Sequence, residues 1–411
     1  MAIVKPFKAI RPAKDKVAFV ASQSYQEYSK KELQATLNFN PFSFLHIINP
    51  GYKFDKKLVG NERFNLVRNR YLEFLEDNIL LKDSSDTFYL YQIKKNNITY
   101  SGLFCATSVL DYQNNVIKKH ENTIQDRESL FASYLETVEF NAEPVLMTYA
   151  DDKSIADIIK KEKQKEPDYV FTTTDKVTHS LWAIANQKTV NVLEQKFHKI
   201  DALYIADGHH RSASSNLLAK NLKQNNPNHT GKEPYNYFMS YLIPESEIQI
   251  SEFNRMVKDL NGLTKKEFLI ALDKFYRIKN QGSILYKPSQ KHHFSMYLDG
   301  EFYSLYLRKR VYNFNDALSK LDTQILFKTI LEPILGIKNL RKDKRIAYGY
   351  GEHNIIKMKD EIDKGNFTIG FSLLPTTINE IKAIADAGQV MPPKSTYIEP
   401  KLRSGLAIYE L

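Results

Sequence analysis

Leu203-Tyr-Ile-Ala-Asp-Gly-His-His-Arg211 runs on into Ser-Ala-Ser-Ser-Asn-Leu-Leu218. The segment from Leu203 to Ala206 has the length and composition of a buried strand. Asp207-Gly208 signals a turn. Beyond Arg211, Ala213, Leu217, Leu218 and Leu222 recur at helical spacing, so a helix is expected to begin at or near the histidines. A strand that passes into a helix through a glycine bend leaves backbone N–H groups unpaired. It also aims the positive end of the helix dipole at the bend, a geometry that binds anions. Arg211 adds a planar fork suited to phosphate oxygens. His209 and His210 can carry protons or bind metal, and Asp207 can accept a proton or hold a cation. The ordinary alternative is a capped Asp-Gly turn with surface histidines. Two adjacent histidines and an arginine directly after a strand-turn weigh against it.

Working outward, the 411 residues have room for two or three domains. Hydrophobic residues make up 42% and charged residues 26%, as in a globular protein with a large core. A net charge of +10 and a pI near 9.1 favour anionic partners such as nucleotides or phosphorylated metabolites. The lysines are scattered through amphipathic segments such as Ile158 to Lys165, so nucleic acid is not an expected partner. Cys105 is the only cysteine, which excludes an intramolecular disulfide framework and a cysteine-rich zinc site. Met1-Ala-Ile-Val-Lys-Pro6 lacks a signal-peptide core, and no apolar run approaches transmembrane length. The expected setting is cytoplasmic, without a membrane partner.

Several other segments read clearly. Val17 to Ser22 and Ser43 to Ile48 look extended, and Ser29 caps a helix over Lys31 to Leu37. Lys95-Asn-Asn97 joins two β-rich runs as a hairpin. His120 and Glu121 precede a helix running to Glu139, capped by Asn122 or Thr123, with Arg127 in its first turn. His, Glu, Thr and Arg at one helix start form a second candidate polar site; solvated capping residues are the plainer reading. Asp151-Asp152 is either a metal pair or a solvated loop, the loop being preferred. His179 and Trp182 fall on opposite faces of one strand. In the tail, Lys394, Ser395, Thr396, Lys401 and Arg403 sit among prolines in a rigid basic loop suited to a phosphate-rich ligand. It is not a P-loop, because the upstream glycines are missing.

Asp207-Gly208-His209-His210-Arg211 after a strand resembles the signature of the free-serine kinases, which share the ParB/sulfiredoxin fold. The whole chain resembles a narrower bacterial family, domain of unknown function 1015. The matching stretches are Pro6 to Pro12, Asn40 to His46, Lys119 to Thr123, His179 to Trp182, Tyr204 to Arg211, Met391 to Thr396 and Pro400 to Gly405. The resemblance implies a mixed α/β protein. Residues 1–253 would form a ParB/sulfiredoxin-like catalytic portion, and 254–411 a carboxy-terminal α/β portion with the basic tail.

The implied activity is phosphoryl transfer from ATP or ADP to a small hydroxyl metabolite, free L-serine first, with Mg2+. Gly208, His210, Arg211, Lys394, Ser395, Thr396, Lys401 and Arg403 would bind the nucleotide phosphates, and Arg127 and His179 the acceptor. Asp207 would hold the ion. Glu121 is the first choice of base, with His120 orienting it and His209 beside it; Asp207 is the alternative. Two other functions fit the same residues. One is a ParB-like nucleotide switch without kinase activity. The other is a histidine-based metal-dependent phosphoesterase, with His209 and His210 completed by His120 or His179. A sulfiredoxin-like reductase would need a cysteine where His209 stands. A homo-oligomer is left open.

Overall fold

The computed structural model describes residues 1–411 apart from Asp55, Lys57 and Glu352. The chain divides into two compact units, Met1–Ile248 with Pro400–Leu411, and Gln249–Glu399. Both combine helices with sheets, so the chain is a mixed α/β protein.

The first unit is built on a nine-stranded sheet. Its strands are β1 (Val4–Lys5), β2 (Phe88–Lys95), β3 (Ile98–Ser108), β4 (Ile117–Lys118), β5 (Val145–Tyr149), β6 (Tyr169–Thr172), β7 (Thr178–Ile184), β8 (Leu203–Asp207) and β9 (Tyr237–Pro244). Their spatial order is β4-β8-β5-β9-β3-β2-β7-β6. β1 joins β3 at Ala106 and Thr107, just beyond the last residue that β2 reaches. Every residue of β5 is buried, as are Leu203 to Ala206 of β8. Both strands are near-continuous apolar runs because elements cover both faces of the sheet. Cys105, Met147, Ile205 and Leu242 share one core with Ile155, Ile159, Val190, Leu193 and Phe197 from the helices Lys153–Glu162 and Gln187–Phe197. Helices α1 (Gln125–Val138) and α2 (His209–Asn225) pack together through Ala132, Leu135 and Leu218.

Two short segments differ from expectation. Val17–Val20 and Leu45–Ile48 are helical rather than extended. Around the second, Asn40 Oδ1 accepts from the Phe42 amide and Ser43 Oγ from the Leu45 amide, fixing a turn before the apolar run. In a run this short, local side-chain bonding to the backbone overrides apolar patterning.

The second unit is organised by a six-stranded antiparallel sheet: β10 (Asn254–Val257), β11 (Tyr276–Gly282), β12 (His293–Leu298), β13 (Glu301–Leu307), β14 (Ile346–Gly349) and β15 (Ile369–Ser372), in the order β11-β13-β12-β15-β10-β14. The helices Lys265–Asp273 and Ile378–Asp386 each begin with a reciprocal capping box, Thr264 with Glu267 and Thr377 with Glu380. Gln249–Ser251 pairs with Tyr397–Glu399.

The tail is divided between the units, which corrects the expected boundary after residue 253. Pro400–Leu411 belongs to the first unit. Ser404 exchanges backbone hydrogen bonds with Ser22, Ile408 does so with Ile10, and Tyr409–Glu410 pairs with Phe140–Asn141. These partners are hundreds of residues away, so no local pattern announces them. Gly405 permits the docking. Its φ is +78°, and a Cβ there would lie 2.6 Å from the fully buried Phe44 ring. Gly405→Ala is expected to cost about 1–3 kcal/mol of stability through backbone strain and overpacking. Urea unfolding followed by circular dichroism checks this; an unchanged midpoint would show that the tail does not anchor the first unit.

Candidate functional site

The candidate site forms where β8 ends. The register of β8 against β5 shifts between Ile205 and Asp207, so Ala206 is the bulged residue and Asp207, opposite Leu146, is the last residue of the ladder. Gly208 follows with φ +104°, a left-handed conformation that glycine adopts without strain, and stands at the N-cap of α2. Among the described residues, no side chain caps this helix start. Its first N–H groups and the positive end of its dipole face the bend.

Arg211 lies one turn into α2 and folds back over Gly208. Its Nη2 donates to Asp207 Oδ2 at 3.1 Å, and its Nη1 donates to the Pro144 carbonyl. A Cβ on Gly208 would sit 3.2 Å from the guanidinium carbon. The fork expected to be open for phosphate is thus partly engaged within the protein, although the side chain remains 29% exposed. Burial pushes the Asp207 carboxyl up, but Arg211, then Lys401 and His209, together outweigh it and hold it below the usual carboxylate range. Asp207 is therefore charged at neutral pH.

β4 pairs in parallel with β8, Ile117 opposite Leu203 and Lys118 opposite Tyr204. This pairing carries His120 and Glu121 to the start of α2. The His120 and His209 rings meet edge to face with centroids 4.5 Å apart. His209 Nδ1 is 3.6 Å from Glu121 Oε2, and His209 Nε2 is 3.5 Å from the His120 amide nitrogen. Within this trio, one ligand atom of each residue lies within 4.8 Å of the others. Both histidines are buried, whereas the Glu121 side chain is 35% exposed. Among the described residues, neither ring nitrogen of His120 has a hydrogen-bond partner. Burial is the first cause that pushes both imidazoles down to about 3; for His120 the neighbouring His209 adds to it. Both rings are neutral at pH 7. His210 is half-buried next to them, and its carbonyl accepts from Ser214 Oγ.

The remaining predicted residues are placed elsewhere. His179 lies on β7, with four strands between it and β8. Its Nδ1 is 2.7 Å from Tyr91 Oη, its ring stacks on Phe171, and burial followed by Arg403 pushes it down to about 3. Arg403 pairs with Asp175 at 3.4 Å. The structure therefore does not bring His179 to the Asp207 bend, correcting the reading that it could complete a histidine site there. Arg127 is exposed in the first turn of α1. Lys394, Ser395 and Thr396 belong to the second unit. There the Ser395 hydroxyl is bonded to Thr323 Oγ1 and the Pro392 carbonyl, and Arg255 donates to the Lys394 carbonyl. Asp152 caps the helix Lys153–Glu162, accepting from the Ile155 amide, and Asp151 accepts from Ser246. That pair is a structural loop. Cys105 is fully buried and its thiol is pushed well up by burial, which removes sulfiredoxin-like thiol chemistry.

Sequence reasoning missed the Pro144 carbonyl as Arg211's acceptor and Tyr91 as the partner of His179. A backbone carbonyl carries no residue-type signal, and Tyr91 was hidden in an apolar strand.

The model of the family described as "Protein of unknown function (DUF1015)" matches residues 4–324. The chain belongs to this family. No curated protein matches it. Among solved structures, it is similar to a free serine kinase in complex with AMP, at 13% identity over 73% of this chain and 88% of that one, TM-score 0.34. It is also similar to SbnI with a C-terminal truncation from Staphylococcus aureus, at 13% identity over 72% and 82%, TM-score 0.37. A conserved hypothetical protein from Pyrococcus furiosus gives 12% identity over 73% and 91%, TM-score 0.33. At these scores the likenesses are distant. Among the described residues, no helix is long and apolar enough to cross a membrane.

The three buried histidines make stability depend on acidity. His120, His179 and His209 resist protonation in the folded chain, so each takes up a proton on unfolding below about pH 6.5. Stability is full above that pH and falls as the pH drops toward 3. Each contributes a slope of up to about 1.4 kcal/mol per pH unit. Urea unfolding between about pH 7 and 5 should show this decline, and His179→Asn should reduce the slope by roughly one proton's worth. An identical slope in the variant would show that His179 titrates normally in the folded chain.

Proposed function

We propose that the chain is a phosphotransferase that moves a phosphoryl group from ATP or ADP to the hydroxyl of a small metabolite. Free L-serine, giving O-phospho-L-serine, is the first acceptor. One observation carries the reading: the uncapped start of α2 at a left-handed glycine, with Arg211 over it and Lys401 acting on Asp207 beside it. Such a bend suits phosphate oxygens. Phosphoryl transfer asks mainly for positioning and charge neutralisation. In this reading the α2 amides, His210, Arg211 and Lys401 hold the nucleotide phosphates. Asp207, kept charged, is the residue that would hold Mg2+, which neutralises phosphate charge. Glu121 and Asp207 are the two carboxylates able to take the acceptor's proton. The likeness of Asp207–Arg211 to the free-serine kinase signature supports the same chemistry.

The test incubates the full chain with labelled nucleotide, Mg2+ and a panel of hydroxylated metabolites that includes serine. A labelled phosphomonoester is expected, and Arg211→Ala should lower kcat/KM for the nucleotide by roughly 30-fold or more, the size of one lost charged hydrogen-bonding group. Glu121→Gln then tests the base: loss of turnover with nucleotide binding retained assigns it to Glu121, whereas full activity leaves it to Asp207. Release of free phosphate alone, with every acceptor unlabelled, would overturn the kinase reading in favour of a hydrolysing switch or a phosphoesterase.

A further inference from the structure

We propose that His120, Glu121 and His209 bind one divalent transition-metal ion of borderline softness, with zinc(II) as the type ion. The site goes beyond the phosphoryl-transfer reading and does not depend on it. It is also distinct from the Mg2+ assigned to Asp207, because two imidazoles and one carboxylate favour zinc-like ions over magnesium.

Three observations converge. First, the donor atoms of the three residues lie within 4.8 Å of one another. Zinc bonds of about 2.0–2.2 Å require these atoms to close by roughly an ångström. Glu121 Oε2 and His209 Nδ1 already stand 3.6 Å apart, near the spacing of two ligands on one zinc ion. Second, His120 is 1% exposed and, among the described residues, neither of its ring nitrogens has a hydrogen-bond partner. A buried imidazole without partners is costly unless something absent from the protein alone satisfies it. Third, the two rings are already side by side with centroids 4.5 Å apart, His120 two residues beyond the β4–β8 pairing and His209 in the first turn of α2. Such a pair is preorganised for a ligand.

Binding through His209 Nδ1 would place the ring proton on Nε2 and give up the 3.5 Å contact with the His120 amide. That contact is at the limit of a hydrogen bond, so little is lost. Three protein donors leave a coordination position open. The Glu121 side faces solvent, so an oxygen of water, of a phosphate or of a hydroxyl compound is the class of ligand that fits. If the phosphoryl-transfer reading also stands, Glu121 becomes a metal ligand and the proton acceptor is Asp207.

The test uses the full chain, stripped with a chelator and titrated with Co2+ while the visible d–d absorption is followed, then with Zn2+ in competition. Saturation at one equivalent, displaced by Zn2+, is expected. His120→Asn and His209→Asn should abolish the signal, and Glu121→Gln should weaken binding by at least roughly 10-fold, the least that losing even an outer-shell partner costs. His198→Asn, an exposed histidine at the end of the helix Gln187–Phe197, serves as control and should bind unchanged. Circular dichroism establishes that each variant is folded. Should the buried-histidine variants not fold, Glu121→Gln decides. Absence of saturable binding by the folded chain at micromolar metal, or a Glu121→Gln affinity equal to that of the unaltered chain, overturns the proposal. Neither result involves nucleotide, so failure of serine phosphorylation leaves the metal result standing.

Discussion

The clamp that Arg211 makes over Gly208 is the interaction on which the candidate site depends. One guanidinium ties the end of β8, through Asp207, to the start of β5, through the Pro144 carbonyl. The bend beneath it is open to glycine because a side chain would be both left-handed and crowded by that guanidinium. Strand end, bend and helix start are thus held as one rigid corner. Side chains built on such a corner are placed more accurately than on a loop. The same contact is the foremost of those that hold the Asp207 carboxyl below the usual carboxylate range against the effect of burial.

Around that corner, burial and charge divide the work. Asp207, Arg211 and Lys401 form a charged, partly solvated side. His120 and His209 form a dry, neutral side, reached through Glu121. An anion suits the first and a metal ion suits neutral nitrogen donors on the second. The contrast arises from topology. β4 is only two residues long, yet its parallel pairing with β8 sets His120 beside His209. Without it, the two histidines would be separated by everything between residues 120 and 209.

Much of this was legible in the sequence, and the limits follow a physical rule. The strand, turn and helix from Leu203 to Asn225 could be read because composition and glycine chemistry are local signals. So were the Asn96 turn and the Ser29 cap. His120, Glu121 and His209 were singled out by residue type, and the structure gathers them. What escaped was non-local. His179 shares a residue type with the site but sits four strands away, a separation set by sheet order. Arg211's acceptor is a backbone oxygen, and Ser395 spends its hydroxyl on Thr323, a partner distant in sequence. The helix at Leu45–Ile48 was lost to the ambiguity of short apolar runs.

The return of Pro400–Leu411 to the first unit makes the second unit an insertion. The pairing of Gln249–Ser251 with Tyr397–Glu399 lays its entry and exit side by side. During synthesis, the amino-terminal portion therefore waits for the whole of the insertion to emerge before Ile408 can close against Ile10. Lys401, which acts on Asp207, arrives with that closing segment. The charge around the bend is complete only when the ribosome has passed residue 401, so a nascent product that stops short of the insertion's exit lacks it.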